Sequence, residues 1–475
     1  MIKKLRDLKD KRITIMGLGL NQGGLGVARF LAKAGAKILV TDLKTEEELG
    51  PSLKKLKGFD IKYILGQHRE KDFINTDMII QNPAVPHNSK YLKIAQSQGI
   101  PIETDLDLFF QLCPSKNIIA VAGTKGKSTV SQLIYHIFKE AQKDTILAGN
   151  IGISVLDILE KINPQTWVIL EISTWQMEGI EDRKFKPHTG VLTNILPDHL
   201  DRYPNYKEYA RSEKLIFKHQ SPNDYLVVNY DNEETIKIKK ETGLPIYWFS
   251  AKEKIEPGCY LKNDELVFQS GTYKTTFAKI SDLPLPGPHN LENILAASIV
   301  GFIHNIPDEI ILKALKNFPG VPYRLEFIGE FRGVKFYNDT CATTPEATLA
   351  ALESFPKQPI ILILGGKDKK LNYENFGIVI GQNNKIKKII LLQHPAYDAS
   401  LKILSALKKH LDSEKIIQTS NLEVGVEIAL QQAKANDLIL LSPAAASFGM
   451  FKNEFDRGDQ FNKIVKTSNN LLSII

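Results

Sequence analysis

The sequence is poor in the residues that staple or anchor a chain. Among its 475 residues are only three cysteines, Cys113, Cys259 and Cys341, far apart and with no Cys-x-x-Cys pair. Disulfide frameworks and structural zinc sites need paired thiols at short spacing, so neither is expected, and a reducing compartment fits. No stretch approaches the roughly 18 consecutive apolar residues of a membrane span. The opening MIKKLRDLKDKR lacks the uninterrupted apolar segment of a secretory signal. Charge of one sign is not in large excess either: 61 Lys and Arg stand against 54 Asp and Glu, a net +7. The surplus is scattered, as in Lys385, Lys387, Lys388 or Lys408, Lys409, which suit solvated helix faces. It fits anionic small-molecule substrates and is too weak and too dispersed to argue for nucleic acid by itself. Short-period repeats and low-complexity tracts are missing as well. The expectation is a soluble cytoplasmic protein without membrane or nucleic-acid partners.

What is present is ordinary in amount and ordered in pattern. Hydrophobic residues make up 43% and charged residues 24%, and the length calls for two to four domains. The first segment opens with the buried-strand pattern Ile13–Met16, runs through the glycine-rich turn Gly17–Gly26 into a helical stretch ending near Gly35, and returns as a strand, Lys37–Asp42. Strand, glycine turn, helix and strand ending in an acid make a nucleotide-binding βαβ unit. Met78–Ile80 before Gln81-Asn82-Pro83 predicts another strand, and a boundary falls near Cys113-Pro114-Ser115. In the second segment Ile118–Ala122, Trp167–Glu171 and Thr189–Asn194 repeat the grammar of apolar strand then polar loop. Between Pro245 and Ile280 shorter pieces predict a small antiparallel appendage, and a helix follows Asn290. Phe318-Pro319-Gly320 breaks the chain again, and Ile360–Leu364, Ile389–Leu392 and Leu438–Leu441 are strands of a third segment. The fold expected is α/β in three domains, 1–114, 115–319 and 320–475: a Rossmann-like βαβ domain, a parallel sheet of the P-loop ATPase kind with an antiparallel appendage, and a second Rossmann-like domain. Ligands in such sheets sit at the carboxyl ends of the strands.

The strongest chemical signal is Gly123-Thr124-Lys125-Gly126-Lys127-Ser128-Thr129 after the strand Ile118–Ala122. Glycines let backbone N–H groups approach phosphate, and the helix that follows favours negative charge at its start. Lys127 can neutralise the terminal phosphates, and Ser128 or Thr129 can reach magnesium. Val121 stands where a strict phosphate-loop pattern has its first glycine; a plain strand-to-helix turn is the competing reading, and the GKST tetrad after a buried strand disfavours it. The first glycine turn, with Asp42 where dinucleotide folds place a ribose-binding acid, would alone suit a dehydrogenase; a second phosphate loop a hundred residues on argues against one. Glu171 and Asp198-His199 follow later strands, so both should reach the edge that carries the phosphate loop, as partners of magnesium.

In order and across nearly the whole chain, these pieces resemble the Mur ligases. Gly123–Thr129 is similar to their GTxGK[ST]T loop, Gly149-Asn150-Ile151-Gly152 to their GNIG segment, and Leu170–Glu178 to the LExSSFQLE stretch of the glutamate-adding members. Asn194–Tyr203 resembles their N(I/V)xxDHxDRY motif, and Gly287–Asn293 their GxHNxxN. Tyr323–Glu326, Asn338-Asp339, Leu441–Phe448 and Arg457-Gly458 resemble the HRxE, NDS and LLSPAxAS…RG motifs. The resemblance implies an ATP-dependent ligase, acting as a monomer, that adds D-glutamate to UDP-N-acetylmuramoyl-L-alanine through an acyl phosphate. It implies a UDP-binding site at Leu20, Asn21, Asp42, Asn82 and Pro83. For ATP it implies Gly123, Thr124, Lys125, Gly126, Lys127, Ser128, Thr129, Asn290, Asn293, Arg324 and Asp339. Asn150 would lie near the reacting centre. Two magnesium ions would be held by Thr129, Glu171, His199 and Lys214, the last fifteen residues after His199, where relatives carry a carbamylated lysine. Thr343, Lys369, Ser447 and Phe448, with Ser442 an alternative, would hold glutamate.

One departure stands out: Cys341 occupies the position of the lysine in the family's NDSKATN. A neutral thiol cannot act as an ammonium beside an anionic substrate, so L-glutamate remains an alternative to D-glutamate. A ligase of the folylpolyglutamate synthase type, a non-catalytic nucleotide sensor and a dehydrogenase are the other readings; Lys127, Glu171, His199 and Lys214 together speak against a sensor, which has no need of second-metal ligands.

Overall fold

The computed structural model describes residues 4–20, 22–86, 88–181, 185–199 and 202–472. It divides into two compact units, residues 1–283 with 291–318 and residues 284–290 with 319–475.

The first unit holds two sheets. The N-terminal one has five parallel strands in the order Ile61–Leu65, Lys37–Asp42, Arg12–Met16, Met78–Gln81, Ile102–Glu103, the spatial order of a doubly wound nucleotide-binding sheet. Ile13, Ile15, Val40 and Ile80 are at most 1% exposed, because helices cover both faces and leave no polar side to alternate. The helix Gln22–Lys33 starts from the glycine turn. Gly26 on that helix is a point of close approach: a Cβ there would lie 2.2 Å from the Ser154 Oγ. Arg29 on the same helix pairs with Asp157.

The second sheet has nine strands. Thr145–Gly149, Trp167–Glu171, Ile118–Ala122, Thr189–Leu192, Tyr225–Asn229, Ile246–Ser250 and Gly258–Lys262 run parallel in that spatial order. Glu265–Ser270 and Tyr273–Lys279 then add antiparallel at the edge. The antiparallel appendage expected between Pro245 and Ile280 therefore continues the main sheet, and its first strand, Ile246–Ser250, belongs to the parallel part. Tight two-residue links at Asn263-Asp264 and Gly271-Thr272 set the hairpin pairing. The helix expected after Asn290 starts earlier, at Pro288, and runs to Ile303; proline suits a first turn, whose N–H needs no helical acceptor.

The second unit is a six-stranded sheet in the order Glu326–Phe331, Val334–Asn338, Leu438–Leu441, Ile360–Leu364, Ile386–Leu392, Ile416–Thr419, parallel except for its first strand. Ile361, Ile363 and Leu441 pack on one face, and Ile360, Leu362, Leu364 and Leu440 on the other. Among the described residues no helix is long and apolar enough to cross a membrane.

Candidate active site

The phosphate loop occupies residues 123–126, between the strand Ile118–Ala122 and the helix Lys127–Glu140. Gly123 has φ +120, and a Cβ there would come within 2.8 Å of the Asn194 carbonyl oxygen, so this turn accepts only glycine. Gly126 caps the helix at φ +88 and, as glycine, has no side chain of its own to take up the first-turn N–H groups. Those donors and the helix dipole are what a phosphate requires. The Lys127 ammonium curls back over the loop to the carbonyls of Gly123 at 2.5 Å and Thr124 at 3.0 Å. Thr193 and Asn194 hold the loop from below: the Lys125 N–H donates to Asn194 Oδ1 at 2.9 Å, and Thr193 Oγ1 donates to the Lys125 carbonyl at 2.6 Å. Asn293 packs against Gly126, where a Cβ would lie 2.4 Å from its Oδ1. Ser128 is half-buried and Thr129 buried in the first helical turn.

Acidic groups gather behind this loop. Glu171 ends its strand in register with Val121, 2% exposed, and its Oε1 accepts from Asn150 Nδ2 at 3.2 Å. Glu213, 1% exposed, accepts the Gly123 N–H at 2.9 Å and the Tyr209 hydroxyl at 2.9 Å; Tyr209 also bonds Thr124 Oγ1 at 2.8 Å. Burial pushes the Glu213 carboxyl above its ordinary range, and the nearby Lys127 pulls it back. Burial likewise acts to raise Asp198, but the bond and charge of Lys125 at 3.0 Å, together with the charge and backbone N–H of His199, outweigh it and leave the carboxyl below its usual value. His199 is exposed, at φ +53, with its ring 5.4 Å from Trp175 and 6.1 Å from Tyr209. The Lys214 ammonium turns elsewhere, to Glu234 at 2.9 Å and Glu241 at 2.8 Å. Among the described residues no three His, Cys, Asp and Glu side chains converge as a metal site. A cation at the loop would thus rely on one or two carboxylates, Thr129 and phosphate oxygens, which is the magnesium pattern.

At the N-terminal sheet the Asp42 carboxylate is committed to backbone: Oδ2 accepts from Leu18 N at 2.8 Å and Gly19 N at 3.0 Å, and Oδ1 from Lys44 N at 2.9 Å. It shapes the glycine turn that presents Leu20, which is 54% exposed. Asn21 lies outside the described residues. Asn82 Oδ1 turns the next loop by accepting the Ala84 N–H at 3.0 Å. The Pro83 carbonyl accepts from Arg202 at 3.3 Å; the same guanidinium pairs with Glu178 at 3.2 Å and lies 4.2 Å over the Trp175 ring. Arg202 thereby ties the loop after Met78–Gln81 to the central sheet's loops.

In the second unit three loops leave the carboxyl ends of adjacent parallel strands: 339–344, 365–370 and 442–448. Asp339 accepts from Ser442 Oγ at 2.8 Å and Leu325 N at 3.2 Å, and burial pushes its carboxyl up to about 7. Exposed Arg324 acts electrostatically on both Asp339 and Cys341. Burial raises the Cys341 thiol to about 11. Lys369 Nζ donates to Thr343 Oγ1 at 3.0 Å. The buried Ser447 hydroxyl has no hydrogen-bond partner among the described residues, and Phe448 beside it is 52% exposed. Asn290 donates to the Pro286 carbonyl at 2.6 Å.

This arrangement agrees with three family models, which match the chain in succession: Mur ligase MurD-like N-terminal domain over residues 11–104, Mur ligase middle domain over 121–301, and Mur ligase glutamate ligase domain over 323–445. The chain belongs to the Mur ligase family. Proteins named UDP-N-acetylmuramoylalanine–D-glutamate ligase are 38% identical in Roseiflexus sp., over 97% of this Mur ligase and 99% of the relative, and 36% identical in Acetivibrio thermocellus, over 98% and 99%. The relative of that name in Borreliella afzelii is 37% identical over 97% and 99%. Among solved structures, UDP-N-acetylmuramate–alanine ligase MurC from Thermotoga maritima superposes with a TM-score of 0.62 at 19% identity, covering 96% of this Mur ligase and all of that chain. A pseudomurein peptide ligase type C from Methanothermus fervidus gives 0.56 at 18%, with 96% and 100% covered. These two speak for the three-domain fold.

Two residues at the Mur ligase loop carried no sequence signal: Glu213 and Tyr209. Each sits in an amphipathic helix, Tyr206–Glu213, where an acid and a tyrosine are unremarkable until the helix is placed against Gly123. The DHLDRY motif a few residues upstream is the nearest hint in the sequence.

Proposed function

We propose that this Mur ligase couples ATP cleavage to the joining of D-glutamate to UDP-N-acetylmuramoyl-L-alanine, a cytoplasmic step of peptidoglycan precursor synthesis. The observation that carries the reading is near-complete alignment, at 36–38% identity, with relatives of that name. The phosphate loop supports the ATP half: Gly123, Thr124, Lys125, Gly126, Ser128 and the helix N-terminus would receive the phosphates, with Lys127 on the terminal pair. Asn293, packed on Gly126, would stiffen the loop, and Asn290, Arg324 and Asp339 would contact the nucleotide. Leu20, Asn21, Asn82 and Pro83 would line the uridine site, with Asp42 acting through the turn it braces.

Thr129 and Glu171 fit one magnesium ion, and His199 lies on the side of Tyr209 where a second would be held. Bound there, magnesium supplies positive charge that lets two anions approach. The substrate carboxylate would attack the γ-phosphate in line, giving an acyl phosphate and ADP, with Lys127 offsetting the charge and Asn150 orienting the acceptor. The glutamate amine would then displace phosphate. Thr343, Lys369, Ser447 and Phe448 are the candidates for holding glutamate. Lys369 supplies an ammonium next to Thr343, two residues from the Cys341 thiol, which supports D-glutamate binding without a lysine at 341. Retention of L-glutamate is the second reading, favoured only by that cysteine.

Phosphate release with UDP-N-acetylmuramoyl-L-alanine, ATP and magnesium tests the proposal. Release that requires D-glutamate is expected. Release with L-glutamate alone reassigns the stereochemistry, and release with neither removes the ligase reading.

A further inference from the structure

The helix Tyr206–Glu213 and the 3-10 turn Lys214–Phe217 meet at two consecutive residues of opposite charge. Their side chains diverge. Glu213 enters the phosphate loop, bonded to the Gly123 N–H and the Tyr209 hydroxyl, both at 2.9 Å. Lys214, its side chain 14% exposed, reaches Glu234 and Glu241.

Two physical consequences follow. A carbamate on Lys214 would exchange an ammonium for an anion, and the partners at 2.9 and 2.8 Å are carboxylates. Both attractions would become repulsions in a partly dry site, where solvent screens little. Glu213, conversely, places a carboxylate against a loop suited to polyphosphate. Two like charges share such a site only when a cation stands between them. An ionised carboxylate has about four acceptor positions. Gly123 and Tyr209 take one each, which leaves capacity for a cation alongside Lys127.

We propose that Glu213, not a carbamylated Lys214, supplies the anionic oxygen for the second divalent cation at this loop, so that the protein needs no carbon dioxide. The proposal rests on the ATP-site reading given above. It is tested on the full chain by titrating Mn2+ with a non-hydrolysable ATP analogue present and following free Mn2+ by electron paramagnetic resonance. Parent, Glu213→Gln and Lys214→Arg are compared in bicarbonate-free buffer and after adding 13C-bicarbonate. Glutamine keeps an acceptor for the Gly123 N–H but loses the charge; arginine keeps the ion pairs but cannot be carbamylated. We expect Glu213→Gln to weaken Mn2+ binding about tenfold or more. Lys214→Arg should bind Mn2+ as the parent does, and bicarbonate should neither tighten binding nor produce a carbamate carbon signal. Parent-like Mn2+ binding by folded Glu213→Gln overturns the proposal, as does bicarbonate-dependent tightening that Lys214→Arg abolishes. Should Glu213→Gln fail to fold, as judged by circular dichroism, the bicarbonate response of the parent and of Lys214→Arg still decides. Because Mn2+ binding needs neither glutamate nor the muramoyl substrate, failure here is separable from failure of the D-glutamate reading, which phosphate release measures.

Discussion

Replacing Arg457 by methionine should destabilise the C-terminal unit by about 3 kcal/mol. The guanidinium is fully buried and spans all three loops at the carboxyl edge of that sheet. Nε donates to Thr340 Oγ1 and Nη2 to the Thr340 carbonyl, both at 2.9 Å; Nη1 reaches the Gly365 carbonyl at 3.4 Å, and both terminal nitrogens reach the Ala445 carbonyl at 3.3 Å. Burial lowers its pKa to about 10, which leaves it charged at neutral pH. The two short bonds contribute roughly 1.5–3 kcal/mol each, the long ones less. Methionine fills similar space and removes a desolvated charge, which offsets part of that loss. It also strands the Thr340, Gly365 and Ala445 carbonyls in a dry interior, at about 1 kcal/mol apiece, whereas the Thr340 hydroxyl keeps its bond to the Glu454 carbonyl. The sum is a net loss near 3 kcal/mol, or about 1.5 M in urea midpoint for a slope of about 2 kcal/mol/M. All three tryptophans, Trp167, Trp175 and Trp248, belong to the other unit. Far-ultraviolet circular dichroism should therefore register the loss, while tryptophan fluorescence serves as an internal reference. A circular dichroism transition at the parental midpoint would refute the reasoning, since it would mean that the five bonds do no more than offset the burial of their own charge.

Lys127→Ala should abolish ADP formation, because it removes the ammonium that sits over the loop at the Gly123 and Thr124 carbonyls; coupled-enzyme turnover above about 1% of the parent would remove its phosphate role. His304, buried and bonded to Thr189 Oγ1 at 2.8 Å, is held by burial down to a pKa of about 3. The unfolded chain takes up a proton near pH 6.5 and the folded one does not, so stability complete above that pH is lost as pH falls toward 3, by about 2 kcal/mol at pH 5. Urea midpoints at pH 5 and 7.5 measure this, and His304→Asn should flatten the difference. Gly26→Ala should cost about 1–3 kcal/mol through collision with Ser154, and adding Ser154→Gly should restore most of it. Thermal unfolding of the single and double variants checks the pair; no rescue would mean the strain lies in the helix Gln22–Lys33 itself.

Strand positions were legible because parallel strands covered on both faces are near-continuous apolar runs: Ile118–Ala122 and Ile360–Leu364 could hardly be anything else. The phosphate loop was legible because its chemistry needs particular residues at particular spacings. The edge hairpin was legible as strands but not as part of the central sheet, since pairing partners are a tertiary matter. Asp42 illustrates a subtler limit: its position at a strand end pointed toward a ligand, yet its oxygens are taken by Leu18, Gly19 and Lys44 N–H groups, so its influence on any ligand runs through the turn.

The sharpest limit lies at Glu213 and Lys214. Consecutive helical residues point about 100° apart, so a count of residues from His199 that is off by one exchanges a residue facing the phosphate loop for one facing away. Which of the two faces Gly123 depends on where the helix Tyr206–Glu213 begins, and that is fixed by Asn205, whose Oδ1 caps it by accepting the Glu208 N–H at 3.0 Å. A cap two turns upstream of the acid therefore decides which charge reaches the loop. Once Tyr209 bonds both Thr124 and Glu213, the register is locked from the loop side as well. Shifting it would bury the Lys214 ammonium beside Lys127 and expose an acid to Glu234 and Glu241, two like-charge contacts in place of the favourable ones. The sequence motif and the side-chain geometry thus assign the anionic role to different residues, and electrostatics sides with the geometry.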